Sequence, residues 1–125
     1  MEELAPKIER CLYQNKKVFS AETVYEVTTA EDGLPFGIAI ADILQSTPHF
    51  HKLTAETYTV VQGTLEVSLD QNKYVLSPGD VIRIPPNVIH SARSLGSEPA
   101  RIVVITLPEF SPDDYYVVTE AKQVE

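Results

Sequence analysis

The stretch ETYTVVQGTLEVSL, from Glu56 to Leu69, is two short extended runs hinged on Gly63. Val, Thr and Tyr fill both runs, and such side chains suit a pleated, half-buried surface better than a helix. The same texture recurs on either side. TVYEVT (Thr23–Thr28) and FGIAIADIL (Phe36–Leu44) precede it, and Lys73–Leu76, Val81–Ile84, Ile89–Arg93 and RIVVITL (Arg101–Leu107) follow. Turn residues separate the runs. Ser77-Pro78-Gly79-Asp80 suits a type II turn, because Pro78 presets φ and Gly79 accepts φ > 0. Asp70-Gln71-Asn72-Lys73 reads as a four-residue hairpin loop. Pro85-Pro86-Asn87 interrupts the ladder, since proline cannot donate to it, and SLGSEPA (Ser94–Ala100) is a further connection. Roughly eight short strands at regular spacing predict an all-β sandwich or barrel. Helix is scarce: Leu4–Leu12 has room for two turns, and Ser111-Pro112-Asp113-Asp114 reads as a capped single turn.

A chain of 125 residues predicts one domain. With 43% hydrophobic and 22% charged residues, the composition is that of a globular protein and not a disordered one. Ten Lys+Arg against eighteen Asp+Glu gives a formal charge of −8, a surface that repels phosphate backbones and anionic lipid. Neither nucleic acid nor membrane is therefore an expected partner. The single cysteine, Cys11, excludes an internal disulfide and any zinc site built on thiolates, and reads as a small hydrophobe. MEELAPKIER has no apolar core of a secretory signal, so a cytoplasmic location is the expectation.

The chemistry lies in the three histidines, His49, His51 and His90. His49 and His51 are two residues apart in an extended context, so both imidazoles leave one face. Glu56 opens the next extended run. Two same-face imidazoles beside a carboxylate form a nitrogen and oxygen ligand set suited to a divalent first-row metal. His90 follows the Pro-Pro-Asn turn and would have to be brought over by the fold.

The spacing His49-x-His51-x4-Glu56-x6-Gly63 resembles the first motif of the cupin superfamily. Gly79-x5-Pro85-x-Asn87-x2-His90-x3-Ser94 resembles the second. Ile43, Asn87 and Ser94 depart from the family pattern, none of them at a ligand position, and asparagine tolerates the φ > 0 of the turn it occupies. The resemblance implies a single-domain cupin jelly-roll β-barrel over residues 1–125, with its motif core at 43–94. It implies a divalent transition metal ion (Fe, Mn, Ni or Zn) held by His49, His51, Glu56 and His90. It also implies a homodimer, with the segments Met1–Ser20 and Glu109–Glu125 packing on the barrel or on a second subunit.

Tyr58 shares the strand face of Glu56 and is the expected proton-transfer residue, with Val60 and Gln62 further along. Asp42 sits among Phe36, Ile38, Ile40 and Leu44; a strand-end acid reaching solvent is the expectation, a general base the alternative. Arg83 and Arg93 flank the His90 turn, and either would hold a substrate carboxylate if it faced inward. Tyr115 and Tyr116 are expected to anchor the tail. Three neutral imidazoles and one carboxylate leave a divalent ion with net charge +1, which favours an anionic oxygen as ligand. The function expected is a metal-dependent enzyme acting on a small carboxylate or sugar-like metabolite, by isomerisation, lyase or decarboxylase chemistry, or dioxygenation. The alternative is a non-catalytic small-molecule sensor.

Overall fold

The structure, a computed structural model, describes Ile8 and residues 15–118. The strands are β1 (Lys16–Phe19), β2 (Glu22–Glu26), β3 (Gly37–Ile43), β4 (His49–Phe50), β5 (Ala55–Gln62), β6 (Leu65–Leu69), β7 (Asn72–Leu76), β8 (Val81–Ile84), β9 (His90–Ser94), β10 (Ala100–Leu107) and β11 (Tyr116–Val117). They form two antiparallel sheets, ordered β1-β2-β3-β10-β5-β8 and β11-β4-β9-β6-β7. The segments β3-β10-β5-β8 and β4-β9-β6-β7 are the two four-stranded halves of a jelly roll. Two facing sheets enclose the interior, and the expected all-β architecture is the one observed.

Alternation produces the core. In β5, Glu56, Tyr58 and Val60 are buried while Thr57 and Thr59 are not, which is the period-two pattern of a strand with one face inward. The register carries that face across the sheet. Ile102 lies opposite Ala41 and Val60, and Val104 opposite Ala39 and Tyr58. From the other sheet Leu65, Val67, Leu76 and Ala92 close the core. One end of this inner face is polar: Thr106 pairs with Glu56 on β5 and with Gly37 on β3.

Most turns follow the expected chemistry. Gly79 (φ 96°) and Asn87 (φ 69°) take the left-handed region. The β6–β7 loop differs from the expected four residues, because Leu69 pairs directly with Asn72 and leaves only Asp70-Gln71. Asp70 makes this possible by adopting φ 52° and accepting the Ile89 N–H on its side chain at 3.2 Å. The turn at Pro112–Asp114 is a 3-10 helix whose cap, Ser111, accepts the Asp113 N–H. The expected helix at Leu4–Leu12 and Cys11 lie outside the described residues, apart from Ile8. Three strands lie outside the expected runs: β1 extends one sheet edge, and the short β4, in the extended context expected for the histidines, pairs with β11.

Candidate metal centre

Two strands and a turn deliver the histidines. His49 of β4 pairs with His90 of β9, so two imidazoles start as cross-strand neighbours. His51 follows β4 directly. Its backbone carbonyl accepts the Asn87 N–H at 2.6 Å, which locks the Pro-Pro-Asn turn of the second motif onto the first. The left-handed φ of Asn87 belongs to the same device. Glu56 enters from the opposite sheet. All four side chains are buried, and each offers one ligand atom within 4.8 Å of the others.

Backbone carbonyls set the orientation of every imidazole. His49 Nδ1 lies 2.7 Å from the Thr47 carbonyl, His51 Nδ1 2.7 Å from that of Asp114, and His90 Nδ1 2.9 Å from that of Val88. A carbonyl only accepts, so each Nδ1 donates and carries a proton. Nε2 is therefore the nitrogen that each ring turns to the centre, where His90 Nε2 forms a hydrogen bond with Glu56 Oε1. There, His90 Nε2 is 3.0 Å and His51 Nε2 3.3 Å from Glu56 Oε1. His51 Nε2 is buried and has no hydrogen-bond partner. Imidazole nitrogens converging on a carboxylate oxygen need protons or a cation among them, and second-sphere carbonyls of this kind are how metal-binding histidines are held. The donor set fits a divalent ion.

Residues 43–106 match the model of the Cupin domain family. The chain belongs to the cupin family. A 66-residue stretch of this cupin is 32% identical to the uncharacterized protein MJ1618 of Methanocaldococcus jannaschii, covering 53% of each. Over 60 residues, 48% of the chain, it is 32% identical to the quercetin 2,3-dioxygenase of Bacillus subtilis, covering 18% of that enzyme. The chain thus spans about half the length of the first relative (53%) and a smaller share of the second. In fold it is like Pac13 of Streptomyces, a nucleoside dehydratase: TM-score 0.76, 14% identity, 94% of this chain and 98% of the other.

A cavity of about 600 Å³ opens onto the cupin's histidines. Its wall is mostly apolar, from Val24, Ile38, Ala41, Ile102 and Val104. The segment after β10 returns across it. Phe110 meets His51 edge-on with ring centroids 5.7 Å apart, and Tyr115 lies over His49 at 4.6 Å. Tyr115 therefore lines the site, contrary to the expectation that both tyrosines anchor the tail. Tyr116 does anchor it, stacked on Phe50 at 5.2 Å. Adjacent residues of an extended segment face opposite ways, which is why the two part company. Asp114 fastens the same segment: its buried carboxylate accepts the N–H groups of Lys52, Leu53 and Thr54 at 2.8 to 3.3 Å. Burial opposes that charge, but these donors outweigh it and hold the Asp114 pKa below its ordinary value.

Charge inside the cavity is uneven. Burial disfavours the Glu56 carboxylate, yet His51 and His90 overcome this and hold its pKa down to about 2. Burial and the neighbouring His90 push His49 down to about 4. Burial also opposes charge on His51, but Glu56 prevails and raises its pKa above the ordinary histidine value. Tyr58 faces inward as its alternation with Glu56 requires. Its phenol is driven well above 10 by burial and by the Glu56 carboxylate, to which it hydrogen-bonds.

Glu22 was not expected. It stands on the inner face of β2, lines the cavity, and makes no hydrogen bond or ion pair among the described residues. Burial, followed by repulsion from Glu56, raises its pKa to about 7, while His90 works the other way. The strand read from Thr23 onward excluded Glu22, and only the Glu22-Val24-Glu26 alternation would have placed it inside. The remaining candidates point elsewhere. Asp42 is bound on the outer face by the Arg101 guanidinium at 2.7 and 2.9 Å, and that bond lowers its pKa. Arg83 is exposed opposite Thr57, and Arg93 reaches Glu66 at 2.9 Å; neither lines this cavity.

Two outcomes follow for the protein. Replacing Asp114 by Asn unseats the loop that presents His51, and metal affinity should fall about 10- to 100-fold in a competition titration; unchanged affinity would show that the His51 ring is fixed without it. In chelator-treated protein, the raised pKa of Glu22 contributes stability below about 4.5 that is lost as pH rises through about 7. Melting curves of Glu22→Gln should therefore gain on the parent as pH rises across that window, and a pH-independent difference would contradict the assignment.

Proposed function

We propose that this cupin is a metal-dependent enzyme acting on a small carboxylate or sugar-like metabolite, with His49, His51, Glu56 and His90 as the metal ligands. One observation carries the reading: three imidazoles, each fixed through Nδ1, turn their Nε2 atoms and Glu56 toward a common centre at a roomy, mostly apolar cavity. A bound divalent ion supplies Lewis acidity to a substrate oxygen, and an open position is what a catalytic centre requires. The chain's own groups do the rest. The apolar wall excludes water and strengthens electrostatic contacts at the centre. Tyr58 donates to Glu56 and keeps that carboxylate oriented; its raised pKa suits a hydrogen-bond donor better than a proton source. Glu22, poised near neutral pH and without a hydrogen-bond partner among the described residues, is the group in this cavity best suited to take or give a proton.

This combination favours proton-transfer chemistry, as in isomerisation or elimination, the latter being the class of reaction named for Pac13. Oxidation, the class named for the quercetin dioxygenase, would draw here on the same four residues but leaves Glu22 without a part. A sensor has no need of a carboxyl tuned to neutral pH, and the sensor reading is the weaker for it. Residues 1–125 form one cupin domain in this reading. The chain pairs with a second copy through the outer face of the larger sheet, where Val61, Val81, Ile105 and Leu107 are exposed.

The test is metal content by inductively coupled plasma mass spectrometry after purification without chelator. About one equivalent of Fe, Mn, Ni or Zn per chain is expected, as for a single mononuclear centre. His51→Ala should lose the metal while keeping its β-rich circular dichroism. Full metal occupancy in a folded His51→Ala protein would overturn the ligand assignment.

A further inference from the structure

Besides the metal ligands, the cavity holds two polar atoms that no described residue satisfies. Thr106 Oγ1 and Glu109 Oε2 are both buried and have no hydrogen-bond partner. Both residues line the cavity, as does Gly37. The three meet at one place: a Cβ built on Gly37 would come within 2.5 Å of Thr106 Oγ1 and 3.4 Å of Glu109 Cγ. The absence of a side chain at Gly37 thus lets Thr106 Oγ1 approach closely, with the Glu109 side chain beside it. Thr106 lies directly opposite Glu56 in the β5–β10 ladder, on the same inward face. Opposed side chains on neighbouring strands start about 5 Å apart. Thr106 therefore stands roughly one strand spacing from Glu56.

We infer that Thr106 and Glu109 form a ligand subsite that receives a hydroxyl or ammonium group of a molecule whose carboxylate or other oxygen is held at the metal centre. The inference rests on the metal-dependent reading above and narrows its substrate class. The chemistry of the pair decides the polarity. An ionised Glu109 only accepts, and the Thr106 hydroxyl both donates and accepts. A hydroxyl donates to Glu109 while accepting from Thr106, and an ammonium donates to both. A second carboxylate at this place would face Glu109 as a like charge. Leaving two buried polar atoms unpaired costs on the order of 1–3 kcal/mol each, and a donor-bearing ligand recovers that cost on binding. A ligand of this class carries its donor atom about four bonds from the metal-bound oxygen, as in a 3-hydroxy acid or a β-amino acid.

Three probes that differ only at that position test this on the cobalt-loaded protein: propionate, 3-hydroxypropionate and β-alanine. Binding is read by calorimetry and by the visible cobalt spectrum. One or both of the donor-bearing acids should bind about tenfold tighter than propionate, the increment of one well-formed hydrogen bond to a charged or buried group. The one that gains identifies the donor as hydroxyl or ammonium. Thr106→Val and Glu109→Gln should each remove most of that gain while cobalt stoichiometry and propionate affinity stay unchanged. Gly37→Ala, which crowds Thr106 Oγ1, should do the same. Equal affinity for all three acids with cobalt bound, or a gain that survives both Thr106→Val and Glu109→Gln, would overturn the subsite and leave the metal centre standing. Failure of the parent protein to take up cobalt would overturn both.

Discussion

Three backbone carbonyls govern this protein's interior. By accepting from Nδ1 of His49, His51 and His90, they fix which nitrogen of each ring turns to the centre and where it points. The consequence is a cluster of electron-rich atoms around the Glu56 carboxylate, buried between two sheets. Such a cluster is unfavourable by itself, because burial strengthens repulsion as much as attraction. Protons relieve it in the metal-free state, which is why His51 is drawn toward the charged form and Glu56 is held ionised. A divalent cation relieves it better, since it answers all four groups at once.

The fold's other features serve that arrangement. The ladder between β4 and β9 brings His49 beside His90, and the Asn87-to-His51 hydrogen bond joins the two motifs at their turn. Asp114 reaches back from the C-terminal segment to three consecutive N–H groups after His51, while its own carbonyl orients that ring. One residue thus couples the segment that crosses the cavity to the geometry of a ligand. Phe110 and Tyr115, carried by the same segment, face the histidines. Polar groups elsewhere in the cavity have no partner among the described residues: Glu22 and Glu109 in the wall, and Thr106 opposite Glu56. Interiors rarely retain such groups without a use for them.

Much of this was legible in the residues. The β-rich runs, the Ser-Pro-Gly-Asp turn and the left-handed Asn87 follow from local preferences, and local preferences were enough to place them. The clustering of His49, His51, Glu56 and His90 was legible because two compact motifs fix their spacing within each half. What the sequence concealed is set by tertiary contact. β4 and β11 are two residues long, too short for any periodicity to register, and exist because they pair with each other beside the site. Glu22 opens a strand, where the inward or outward parity is decided by pairing with β3. Asp114 looked like the acid of a helical cap, and its true partners are about 60 residues away. Asp42, in an apolar run, looked anomalous until Arg101 appeared opposite it on the outer face.

The most direct test of the centre is anomalous diffraction from crystals of the protein purified without chelator, collected above and below the absorption edge of the metal found. A single peak about 2.0–2.2 Å from Nε2 of His49, His51 and His90 and from a Glu56 oxygen is the expected result. A peak coordinated through any Nδ1 atom, or metal bound away from these four side chains, would contradict the account.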